Sequence, residues 1–204
     1  VTTRERATRV SGWPVSWADA GARQEPGGPA AVVTAGTGRR ASAAGHYPDA
    51  MRYQEVEKAI QQLIDAAGED ELHAFGLATI TRLTTADLVD EADEEDLDED
   101  ARAALATALE TVTTAGAAEL RALLDRIDEG TLADGDMDPG LLIVLTALEH
   151  WTTFLEEHRR GELYELAIRS LEEVDYRVSA ELDDFLAEPE MAAEYARIRQ
   201  SLTA

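Results

Sequence analysis

The amino-acid sequence predicts an all-α fold: a single compact bundle of about seven helices around a central apolar helix, residues 141–158. Three observations carry that prediction. The run Leu141-Leu142-Ile143-Val144-Leu145 continues through Ala147, Leu148, Trp151, Phe154 and Leu155. A helix that is apolar nearly all round must be wrapped by others. Elsewhere from Met51 to Leu202, apolar residues recur at i, i+3 and i+4, the helical signature, and no stretch shows the strict alternation of a half-buried strand.

In chain order, residues 1–50 read as a disordered arm ahead of an all-helical domain, 51–204. The arm holds seven of the fourteen glycines and four of the six prolines, and it lacks a period with which to bury apolar surface against its chain entropy. Trp13 and Trp17 are its only large aromatics besides Tyr47. Residue 1 is Val, and Met51 directly precedes the first helical pattern, which makes Met51 a candidate translation start. Val56, Ala59, Ile60, Leu63, Ile64 and Ala67 mark the first helix, stopped at Gly68. Leu72, Phe75, Thr79, Ile80 and Leu83 mark the second.

Ten Asp or Glu residues then fall among the fourteen from Asp87 to Asp100: Asp87, Asp90, Glu91, Asp93, Glu94, Glu95, Asp96, Asp98, Glu99 and Asp100. That charge density predicts a solvated loop or frayed turn rather than a packed helix. A third helix follows over 101–112, ended at Gly116. A short helix through Leu120, Leu123, Leu124 and Ile127 stops near Gly130, and a turn-rich linker, 133–140, leads into the central helix. After Gly161 the pattern predicts the longest helix, Glu162 to about Ala187. Its seam of Ala167, Leu171, Val174, Val178, Leu182 and Phe185 steps by three and four, as a coiled coil does. Pro189 opens the last helix, with Met191, Tyr195, Ile198 and Leu202 on one stripe.

Composition narrows the function classes. The net charge is −24; residues 1–50 carry +2 and residues 51–204 carry −26. Such a body repels nucleic acid and anionic membrane and attracts a basic protein, although acidic faces also serve solubility alone. No cysteine is present, which removes thiol chemistry and suits a reducing compartment. No apolar run approaches the ~18 residues that span a bilayer, and Pro29–Val33 falls short of the ~7-residue core of a signal peptide. The expected location is the cytoplasm.

Several apparent motifs fail on geometry. Asp134, Asp136 and Asp138 are spaced like the opening of a calcium loop, but Pro139 stands where glycine is needed and Leu145 where the bidentate glutamate belongs. A turn with an aspartate at the start of the central helix is the better reading. His150 and His158 have no glutamate three positions before them, so the di-iron pairing is absent. His158 beside Arg159 and Arg160 suits the negative end of its helix. Tyr53, Tyr164, Tyr176 and Tyr195 sit at packing positions. No phosphate loop, nucleophile elbow or basic helix face is found, and no cofactor or metal is expected.

The central helix, the Glu162–Leu171 segment that follows it and the close Pro189-Glu190-Met191-Ala192-Ala193-Glu194-Tyr195 resemble the YjaG-like family of bacterial proteins, as does the Phe75 to Arg82-Leu83 segment. The resemblance spans residues 55–203 and implies a compact helical protein. The family is a domain of unknown function, so no site residue carries over.

Two functions fit. The first is a non-catalytic protein-interaction module, monomeric or homodimeric through the Ala167–Phe185 seam. The alternative is an acidic immunity or antitoxin-type inhibitor of a basic toxin such as a nuclease, with Asp87–Asp100 as its phosphate mimic. An enzyme with a carboxylate site in the bundle core is a third, weaker option.

Overall fold

The computed structural model describes residues 51–85, 96–132 and 137–203. Within them the protein is all-α. Seven α-helices and one 3-10 helix form a compact body, and pairing outside helices is confined to an isolated antiparallel bridge, Leu97 to Thr131. The proposed arm, Asp87–Glu95, Asp134 and Asp136 lie outside the described residues.

Helix α1, Tyr53–Ala66, buries Val56, Ile60 and Ile64 on one stripe. Arg160 from a later helix donates to the Ile64 and Ala67 carbonyls at 2.6 and 2.8 Å, so a cation satisfies the carbonyls left open at the end of α1. Helix α2, Glu69–Thr85, starts where Gly68 N–H donates to Glu71 at 2.6 Å. Helices α3, Glu99–Thr111, and α4, Ala117–Glu129, form an antiparallel hairpin. Asp98 caps α3 by accepting from Ala101 N–H at 2.8 Å.

Helix α5, Pro139–Glu157, is the central helix. Asp138 caps it, accepting from Gly140 and Leu141 N–H at 2.8 and 3.0 Å, and Pro139 fills the first helical position, where no donor is needed. Leu141, Ile143, Val144, Leu145, Ala147, Leu148, Trp151, Thr152 and Phe154 are buried around its circumference. That all-round burial follows from neighbours α2, α4 and α6. Gly76 of α2 lets the helices close: a Cβ there would stand 2.5 Å from the Trp151 ring and 2.8 Å from Leu163.

Helix α6 spans Arg160–Val178, and the chain does not continue as one helix to Ala187. Ser179 turns left-handed, with φ 54°, its N–H bonded to Asp175 O at 2.7 Å. Ala180 N–H then bonds the Asp175 carboxylate at 2.7 Å. A 3-10 helix, Leu182–Ala187, follows. The break lets Phe185 turn inward and meet Tyr53 edge-to-face at 5.0 Å, with Phe185 N–H bonded to Met51 O at 3.1 Å. Ala167, Leu171, Val174 and Phe185 are all buried within the chain. The coiled-coil-like spacing therefore feeds intramolecular packing. Helix α7, Pro189–Ser201, buries Met191, Tyr195 and Ile198 as its stripe predicts, and Leu202 just beyond it is buried too.

Candidate functional site

The acidic run is not uniformly a solvated loop. Over residues 96–100 it is built into the fold, which corrects that part of the expectation. Leu97 is 1% exposed. Asp96 accepts from Asp138 N–H at 2.8 Å, and its carbonyl accepts from Leu132 N–H at 2.8 Å. Asp98 caps α3, and its N–H donates to Gly130 O at 2.9 Å. Asp100 takes a two-pronged contact from Arg126 of α4, at 2.6 and 3.1 Å. That hydrogen bond, with the guanidinium charge behind it, holds the Asp100 carboxyl below the usual range. Burying Leu97 outweighs the charge density, because Asp96 and Asp98 meet backbone donors and Asp100 meets Arg126.

These contacts bring two ends of chain together. Asp98, Glu99 and Asp100 at the start of α3 and Asp128 and Glu129 at the end of α4 are exposed, and the 97–131 bridge sets the two groups side by side. Leu132 stands beyond them, 60% exposed. Arg102 and Arg126 are the basic groups on the same turns. The end of the α3–α4 hairpin thus carries exposed carboxylates from two elements.

The buried carboxylates behave differently. Glu173 and Glu194, 2% and 7% exposed, meet arginines. Arg82 of α2 donates to Glu173 at 2.7 Å and to Glu194 at 3.1 Å. Arg177 reaches the other Glu173 oxygen at 2.9 Å. Arg197 grips Glu194 at 2.6 and 2.9 Å, and Ser170 donates to it at 2.5 Å. Burial pushes the Glu194 carboxyl up, but Arg197, Arg82 and Ser170 together hold it below the ordinary carboxylate range. This knot ties α2, α6 and α7, and sequence reading missed it. A carboxylate beside the stripe of α7, between Met191 and Tyr195, is the signal that marked it.

A second polar group lies between α1 and α6. Tyr164 donates to Glu57 at 3.3 Å. Burial, then the Glu57 charge, pushes the Tyr164 phenol up to about 12, and the same causes raise Tyr53. Glu172 is paired with Arg169, yet burial raises its carboxyl and outweighs that pairing, with Glu165 and Asp175 adding to the rise. Of the four tyrosines read as packing, Tyr176 is 51% exposed and does not fit that reading.

His150 and His158 have structural partners. His150 Nδ1 lies 2.9 Å from Glu162 across the α5–α6 turn. His158 is the left-handed cap of α5, its N–H bonded to Phe154 O at 2.8 Å. Among the described residues no group of three or more histidines and carboxylates is placed to hold a metal ion, and no helix is long and apolar enough to cross a membrane.

No family model, no curated protein and no solved structure matches this chain.

Proposed function

We propose that this protein is a non-catalytic interaction module that binds a basic partner through its acidic surface, chiefly the end of the α3–α4 hairpin. The observation that carries the reading is how the carboxylates divide. Those buried in the body are matched by arginines, whereas Glu99 and Glu129 stand exposed at the end of the α3–α4 hairpin. Buried pairs spend their charge inside the fold. Exposed like charges on one edge create a field that steers a cationic partner. The same reading places the protein in the cytoplasm, supported by the absence of cysteine. It also keeps the likeness to the YjaG-like family, supported by the residue pattern of α2, α5, α6 and α7.

The inhibitor of a basic toxin is a narrower form of this function. Residues 96–100 support it weakly as a phosphate mimic, because Asp96, Asp98 and Asp100 already serve Asp138, Ala101 and Arg126. Glu99 is the acid of that segment left to face a partner.

The test is capture from host lysate on the tagged full-length protein, run beside a Glu99→Lys, Glu129→Lys double variant. A basic protein retained by the wild type at low salt, released at high salt and absent from the variant is expected. Equal retention by both proteins would remove the α3–α4 end from the function.

A further inference from the structure

The knot between α2, α6 and α7 carries an inference about how the bundle opens. Helix α7 joins the body through an apolar stripe, Met191, Tyr195 and Ile198, and through one buried charge, Glu194. The hydrogen-bond and ion-pair partners of Glu194 come from three helices: Arg82 of α2, Ser170 of α6, and Arg197 of α7 itself. Behind Arg82 lie Glu173 and Arg177 of α6. Helix α1 and the 3-10 helix also pack on α7, and among the described residues neither places a charged group in bonding range of Glu194.

Counting charges gives the knot its character. Three guanidiniums, Arg82, Arg177 and Arg197, surround two carboxylates. With Glu194 ionised, Arg82 and Arg197 share one oxygen, Oε1, at 3.1 and 2.6 Å. With Glu194 neutral, the same two guanidiniums face each other across α2 and α7 with their common counter-charge gone. Their side chains are 29% and 28% exposed, so water screens them only in part. The attraction between α7 and α2 that Glu194 supplies is then lost: Arg82 keeps Glu173 at 2.7 Å, and Arg197 faces it without a shared carboxylate. None of these groups belongs to α5.

We propose that α7 is a clasp that opens separately from the rest of the bundle, with the Glu194 carboxylate as its latch. Neutralising this one group frees α7 from α2 and α6 and leaves α5 packed on α6. The low titration range of Glu194 agrees with a clasp closed at neutral pH. A depressed folded-state carboxyl contributes its stability in full above its unfolded value, 4.5, and loses it as pH falls through the lower folded value.

The experiment is hydrogen–deuterium exchange with peptide readout on the full chain at neutral pH, comparing wild type, Glu194→Gln and, as a control, Glu190→Gln, an exposed carboxylate of the same helix. In Glu194→Gln, exchange in α7 should rise roughly tenfold or more, with α5 unchanged. Glu190→Gln should match wild type. Equal acceleration of α5 and α7, or none in α7, would overturn the clasp. Should Glu194→Gln fail to fold, an acid series on the wild type replaces it. After correction for intrinsic rates, α7 must lose protection at a higher pH than α5, and simultaneous loss would overturn the proposal.

Discussion

Single side chains in this protein respond to pH in opposite senses. Glu172 and Glu194 are both carboxylates of the body, yet burial dominates at the first and arginines at the second. A carboxyl whose folded value is raised stabilises the fold below its unfolded value and loses that contribution as pH rises through the folded value. Ionised Glu172 is therefore a burden at neutral pH. Glu172→Gln should raise the melting temperature at pH 7, and the gain should shrink as pH falls through the raised folded value and below the ordinary carboxylate value. A gain that persists unchanged in acid would mean that desolvation is not the cause. Glu194→Gln should lower stability by about 2 kcal/mol at pH 7, the scale of hydrogen bonds to a charged group, and the deficit should close in acid. Neither response was legible in the sequence. Arg82 meets Glu173 and Glu194 at separations of 91 and 112 residues, and no local period reports a contact of that kind.

Helices show where local chemistry suffices and where it does not. The central helix, expected over 141–158, was legible because its apolar run exceeds any single stripe and because Asp138-Pro139 is a start signal. The break at Ser179 was not legible. The three-and-four spacing runs straight through it to Phe185, without glycine or proline, and the turn depends on Asp175 capping both Ser179 and Ala180. The acidic run misled in the other direction: its composition hid the burial of Leu97 and the cap at Asp98. Two substitutions test this level. Asp98→Ala should cost about 1 kcal/mol in denaturant unfolding by leaving a first-turn donor of α3 open, and Asp98→Asn much less. Gly76→Ala should cost about 1–3 kcal/mol, because the added methyl meets the Trp151 ring and Leu163. An unchanged midpoint for Gly76→Ala would show that α2 is not held as close to α5 as the packing requires.

Across the whole molecule, charge sets the behaviour that no single site does. A net −24 on 204 residues means self-repulsion in the compact state. The melting temperature should therefore climb as ionic strength rises from about 0.01 M to about 1 M, which shortens the Debye length from ~30 to ~3 Å. Exposed pairs such as Arg126–Asp100 lose a little over the same range. A melting temperature that falls with salt would mean that the ion pairs outweigh the repulsion. The same surplus, with exposed acids where α3 and α4 meet, is the basis of the proposed function. The most direct measurement is zero-length carbodiimide cross-linking of the protein to the partner it retains, since that chemistry joins carboxylates to lysines only in contact. Cross-links to partner lysines should concentrate on Glu99, Asp128 and Glu129. Cross-links that instead fall on Glu181, Asp183 and Glu190, in the 3-10 segment and at the start of α7, would contradict the account.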